Sequence, residues 1–129
     1  MTEAITELIV TRGIPGSGKT YWAKHWVAQD VRHRARVERD QLRAMMHDSV
    51  WKGRHTEDQV IAVEKTIVST LLGRGISVVV SDTNLDVATF GTWKDLATEV
   101  GARFRMQDFR DVPLQVCLDR NAKRAGREN

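Results

Sequence analysis

GIPGSGKT, residues 13–20, decides how the rest of this chain is read. It fits G-x-x-x-x-G-K-[ST], with Gly13, Gly18, Lys19 and Thr20 at the fixed positions and Gly16 and Ser17 inside the turn. Glycines in such a loop let backbone N–H groups turn inward without Cβ obstruction and form an anion-binding nest. The helix that follows adds its positive N-terminal end. Lys19 then reaches the β and γ phosphates, and the Thr20 hydroxyl is a ligand for Mg²⁺. An ordinary glycine-rich turn has a similar composition. The surroundings argue for the phosphate loop, because ELIVTR (7–12) reads as a buried strand and YWAKHWVAQ (21–29) as a helix. The loop implies a bound nucleoside triphosphate, ATP or another, without saying what becomes of it.

Working outward, 129 residues are enough for one domain, taken as 1–129, with a real core. No apolar run approaches 18 residues, so no membrane helix is expected. MTEAITELIV is acidic and its apolar part is too short for a signal peptide. Cys117 is the single cysteine and cannot form an intramolecular disulfide, which suits a reducing cytoplasm. No motif surrounds it, so it is expected in the core rather than as a nucleophile. The net charge of +3 says less than its distribution. Arg32, Arg34, Arg36, Arg39 and Arg43 cluster early, and Arg120, Lys123, Arg124 and Arg127 cluster late. Such clusters mark either polyanion partners or solvated faces.

Apolar runs alternate with helical periods, which predicts an α/β domain with a parallel sheet. Expected strands are Glu7–Arg12, ARVE (35–38), GISVVVSD (75–82) and RFRMQDF (103–109). The third is apolar on both faces and is therefore expected at the centre. Expected helices follow the phosphate loop to about Gln29, cover RDQLRAMMH (39–47), and cover TEDQVIAVEKTIVSTLLG (56–73). Two more run from Asp86 to Gly101 and from Pro113 through LQVCLDRNAKR. In the third helix, Thr56 with Gln59 fits a capping box, and Val60, Ile61, Ile67, Val68, Leu71 and Leu72 form the apolar face.

In such a sheet, ligands sit beyond the carboxyl ends of the strands, so the residues that follow each strand matter most. The second strand delivers Asp40 and Arg43, the third Asp82, Thr83 and Asn84, and the last helix RNAKR. Phosphoryl transfer needs a cradle, a metal, a base for the acceptor hydroxyl and cations on the transferring group. Asp40 is the candidate base, although an aspartate at a helix start also caps it. Asp82 can hold a magnesium-bound water, fix an arginine, or simply start the next turn. Arg120 and Arg124 share a helical face and either close over the phosphates or stand in solvent. Trp22 and Trp26, also four apart, read as core. Trp51 is a base-stacking platform or a packed loop anchor. The four histidines have no metal-ligand spacing.

GIPGSGKTYWA, VERDQLRAMM, VVVSDTNLD and CLDRNAKR, in this order and spacing, resemble the kinase domain of phage-type polynucleotide 5′-hydroxyl kinases of the P-loop kinase superfamily. The resemblance spans about Leu8 to Arg124. The phosphate-loop (Walker A) motif is widely shared, whereas RD-x-x-R with DTN and RN-x-x-R is much more specific. It implies a P-loop kinase fold with four parallel strands in the order 2-3-1-4. It also implies transfer of the ATP γ-phosphate to the 5′-OH of DNA or RNA with Mg²⁺, as in nucleic-acid end repair. By position, Lys19 and Thr20 resemble the phosphate and metal contacts, and Asp40 the base. Arg43 resembles the contact to the 3′-phosphate of the acceptor, and Asp82, next to Thr83, a supporting carboxylate. Arg124 resembles the lid arginine, with Arg120 beside it. Some members carry a 3′-phosphatase domain, for which 129 residues leave no room, and relatives continue past the lid motif into a further helix. Two other readings compete. A kinase of a small hydroxyl substrate (nucleoside, sugar or antibiotic) shares the loop and the aspartate, and a substrate panel separates it. A non-catalytic nucleotide-binding module needs neither Asp40 nor Arg124.

Overall fold

Leu8, Ile9 and Val10 are apolar in succession, a pattern that both faces of a sheet must cover. They form β1 (Glu7–Arg12), and all three are fully buried. The computed structural model describes residues 5–48 and 51–127, with side chains through Arg124. The chain ends and the side chain of Arg127, counted above in the late basic cluster, lie outside the described residues. After β1 come α1 (Lys19–Ala28), β2 (Arg34–Val37), α2 (Arg39–His47), α3 (Arg54–Gly73), β3 (Ser77–Val80), α4 (Val87–Val100), β4 (Arg103–Asp108) and α5 (Leu114–Arg127).

The sheet has the order β2-β3-β1-β4, every pairing parallel, as expected. Parallel neighbours need crossovers, and the helices supply them on both faces. On one face Leu8, Val10, Val78 and Val80 meet Val60, Val68 and Leu72 of α3 and Trp93 and Ala97 of α4. On the other, Ile9 and Val79 meet Ala23 and Trp26 of α1, with Trp22 packed alongside. The two tryptophans stack at 6.4 Å between centroids, so they serve as core, and Cys117 is buried as read.

Three local expectations are corrected. The capping box of Thr56 with Gln59 does not form, because α3 begins earlier, at Arg54 behind Gly53. The Thr56 hydroxyl donates to the Gly53 carbonyl (3.1 Å), and Gln59 lies 3.2 Å from a His55 ring nitrogen. The starting glycine, with φ 106°, sets the chain turn without a side-chain cap. In addition, the buried residues of α3 are Glu57, Val60, Glu64, Val68 and Leu72, so its inner face carries two carboxylates. β2 is also shifted by one residue from ARVE: Val37, whose carbonyl accepts from Ser81 N–H, is its last residue, and Glu38 leaves the strand as the N-cap of α2.

The topology brings the strand ends together. The N–H of Gly13 donates to the carbonyl of Thr83 at 3.0 Å, tying the turn after β1 to the turn after β3. Thr11 Oγ1 donates to the carbonyl of Asp82, and the Arg12 guanidinium donates to those of Asn84 and Leu85. Asn84 itself has a left-handed φ of 49° and donates to Thr11 O from a buried side chain.

Candidate functional site

A cleft of about 870 Å³ opens at this edge of the sheet, within the usual range for a ligand site. One wall is the loop of residues 13–20. Gly16 and Gly18 there have φ of 86° and 105°, a left-handed backbone that side chains resist. A Cβ on Gly16 would also run into the Cys117 carbonyl, so the loop can lie flat on α5 only with glycine there. Ser17 Oγ is buried with no partner. Lys19 begins α1, is itself buried, and donates to the Ile14 carbonyl at 2.9 Å. Burial lowers its pKa, Glu38 opposes that, and the nearby positive charge of Arg124 adds to it. The Thr20 hydroxyl faces the Glu38 carboxylate at 3.4 Å.

The opposite wall is the first turn of α2, and its side chains form a chain of ion pairs. Asp40 is exposed on the cleft side and accepts from Arg43 Nη1 at 2.6 Å. Arg43 also forks onto Glu57 of α3, through Nε at 2.9 Å and Nη2 at 2.6 Å. This pairing raises the pKa of Arg43 and lowers that of Glu57. Three of the five guanidinium donors are used, and two remain. Asp82, at the end of β3, does not start the next helix; Asp86 does, accepting from Thr89 N–H. Instead Asp82 Oδ1 accepts the backbone N–H of Arg39 at 2.7 Å, which caps α2 from another strand. Asp40 is therefore not the N-cap, a place held by Glu38 without a side-chain bond. Glu38 in turn pairs with Arg36.

α5 closes the third side. Arg120 donates to the Gly16 carbonyl at 3.1 Å and Asn121 to that of Pro15 at 3.2 Å, so both grip the loop backbone. Lys123 and Arg124 line the cleft beside them. Trp51 is 61% exposed and does not line the cleft, so it is not a packed loop anchor. Among the described residues no group of three or more His, Cys, Asp or Glu side chains could hold a metal ion by itself.

The cleft thus gathers Gly16, Ser17, Gly18, Lys19, Thr20, Asp40, Arg43, Asp82, Thr83, Arg120 and Arg124 from four segments of the chain. Gly13 lies just behind it, where a Cβ would strike Ser17 Oγ and Phe109. Sequence reasoning missed Glu38, Glu57 and Glu64. The signal for the last two was their spacing: Glu57, Val60, Glu64 and Val68 fall at i, i+3, i+7 and i+11, a single helical stripe.

A parallel sheet of order 2-3-1-4 with this loop after its first strand defines a P-loop domain of the kinase type. The chain belongs to the AAA domain family, whose profile matches residues 8–129. It is 29% identical over 134 residues to a protein of Autographa californica nuclear polyhedrosis virus, named as a candidate bifunctional polynucleotide kinase/RNA ligase. That match takes in 92% of this chain but 18% of the viral protein. Among solved structures, a chain of the Pnkp1/Rnl/Hen1 RNA repair complex superimposes with a TM-score of 0.86 at 25% identity. The match covers 98% of this chain and 40% of that one. The Mycobacterium tuberculosis APS kinase CysC shares the fold at a TM-score of 0.74 and 17% identity, over 97% of this chain and 73% of that one. No helix among the described residues is long and apolar enough to cross a membrane.

Proposed function

We propose that residues 1–129 form one kinase domain that transfers the γ-phosphate of ATP to the 5′-OH of DNA or RNA. The observation that carries this reading is Asp40, a carboxylate exposed in the cleft opposite the phosphate loop and steered by Arg43. The similarity to a protein named for polynucleotide kinase activity, and to a chain of an RNA repair complex, supports it.

The residues present fit a triphosphate and a metal. Ser17 Oγ has no protein partner, and the loop's backbone is turned for an anion. Mg²⁺ usually keeps several waters and is bound through one or two carboxylates plus phosphate oxygens, so the Thr20 hydroxyl would be its ligand from the loop, with the Glu38 carboxylate beside it. When bound, the metal neutralises charge on the transferring group. Lys19 exchanges the Ile14 carbonyl for phosphate oxygens, and Arg124 covers them from α5. Asp40 accepts the proton of the 5′-OH, and Arg43 presents its two remaining donors to the acceptor's 3′-phosphate. Asp82 and Thr83 complete the acceptor side, Asp82 by holding the α2 N-terminus.

Incubation with γ-labelled ATP, Mg²⁺ and 5′-OH oligonucleotides tests this directly. End label is expected, and its absence with a competent protein contradicts the proposal. A second reading, a small hydroxyl acceptor, is favoured by the fold shared with APS kinase. Labelling of such acceptors in preference to oligonucleotides would establish it.

A further inference from the structure

Glu64 sits midway along α3 with none of its surface exposed. Its neighbours on that stripe, Val60 and Val68, are apolar, and an apolar residue would pack there without desolvating a charge. The carboxylate therefore calls for partners, and it has two. Glu64 Oε1 accepts from Arg39 Nε and lies 3.0 Å from Arg39 Nη2. On its other side lies Asp82, whose Oδ1 accepts the Arg39 backbone N–H and whose Oδ2 is 3.9 Å from Arg39 Nε.

Charge balance requires a proton here. Two carboxylates and one guanidinium leave an excess negative charge in a buried space. With both acids ionised, Glu64 Oε2 and Asp82 Oδ2 are buried without any donor. One proton held between them gives both oxygens a partner and makes the cluster neutral. The carboxyl of Glu64 is pushed up to about 9, first by burial and then by the hydrogen bond to Asp82 and its charge, with Arg39 pulling the other way. The other charges nearby are closed on one another, Arg43 on Glu57 between α2 and α3 and Arg36 on Glu38 at the β2 end. α4 contributes Trp93 to the same core, a side chain that does not titrate.

We infer that Glu64 is a positioning residue: from inside α3 it grips Arg39 and Asp82 together and so fixes the α2 turn that carries Asp40. The link to turnover rests on the role proposed above for Asp40, whereas the link to the α2 turn does not. Glu64→Gln keeps a donor towards Asp82 and an acceptor for Arg39 without a titrating proton. Glu64→Leu keeps only the volume.

The sign of the pH effect follows from the raised value. Stability supplied by the protonated Glu64 is complete below its ordinary 4.5 and is lost as pH rises through about 9. The thermal midpoint of Glu64→Gln should thus gain on wild type between those limits and run parallel above them. The test compares the three proteins by amide hydrogen exchange at residues 39–43, by kcat and KM for end phosphorylation, and by thermal midpoint from pH 5 to 10. Wild type and Glu64→Gln should exchange alike and turn over alike at pH 7. Glu64→Leu should open residues 39–43 and lose about 10- to 100-fold in kcat, as a displaced catalytic group does, with KM for ATP unchanged. If Glu64→Leu exchanges like wild type, or Glu64→Gln loosens residues 39–43 or tracks wild type from pH 5 to 9, the inference is overturned. If Glu64→Leu does not fold, Glu64→Gln carries the decision. If wild type labels no 5′-OH end, the kinase reading fails, and hydrogen exchange alone still judges Glu64.

Discussion

The two walls of the cleft are built from different materials. The phosphate-loop wall is mostly backbone: left-handed glycines and one helix end, all within residues 13–20. The opposite wall, proposed above as the acceptor wall, is mostly side chain: Arg39, Asp40, Arg43, Glu57 and Asp82, backed by the buried Glu64 and drawn from α2, α3 and the end of β3. A backbone cradle suits a group common to many substrates, because any sequence that keeps the glycines keeps the shape. A side-chain network suits whatever distinguishes one acceptor from another. The two should also fail differently, the first through nucleotide handling and the second through acceptor chemistry.

Lys19→Ala is the most severe way to break the first wall. End labelling should fall to background while the circular dichroism spectrum is kept, since the Lys19 ammonium serves the Ile14 carbonyl and the cleft rather than the core. A folded variant that labels normally would remove the phosphate-loop assignment.

Asp40→Asn attacks the second wall alone. Turnover should drop about 10²–10⁴-fold, the scale for a lost general base, with ATP affinity unchanged. Because Glu38 is the N-cap and Asp82 supplies the capping carboxylate, lost helix capping cannot account for such a drop. A variant that turns over like wild type would place the base elsewhere.

Arg124→Ala probes α5, which closes the third side of the cleft against the phosphate loop. It should lower kcat about 10- to 100-fold, because a cation over the transferring group acts on charge that develops there. Arg54→Ala controls for net charge, since Arg54 is an exposed partner of Asp58 on the outer end of α3. Equal small effects from both would reduce the α5 cations to a solvated face.

Most of the fold was legible in the residues. The strand ELIVTR, the loop, Gly101 at the end of α4 and the valine run of β3 are local signals, and each appears where its chemistry demands. The sheet order came from the family resemblance, since periodicity does not order strands. The α3 start was misread because a favourable Thr–Gln spacing competes with a glycine turn three residues earlier. The acceptor wall was half legible. Asp40, Arg43 and Asp82 follow strand ends, where the topology places ligands. Glu57 and Glu64 do not; they lie inside α3, and only the fold turns their stripe toward the arginines of α2. A residue pair 25 apart, such as Arg39 with Glu64, leaves no local trace.

Arg43 carries the sharpest form of the comparison, because the same guanidinium braces its own wall and, in the proposed function, faces the acceptor. The measurement is kcat/KM for a 5′-OH nucleoside 3′-monophosphate and for the bare nucleoside, with wild type and Arg43→Ala. Losing a charge-assisted contact costs on the order of 1.5–3 kcal/mol, or about ten- to a hundred-fold. Wild type should prefer the 3′-phosphorylated acceptor by that factor, and Arg43→Ala should use the two acceptors almost equally. If wild type already handles both alike, Arg43 only braces the wall, and the proposal that this cleft accepts polynucleotide ends is contradicted at the residue that supports it most specifically.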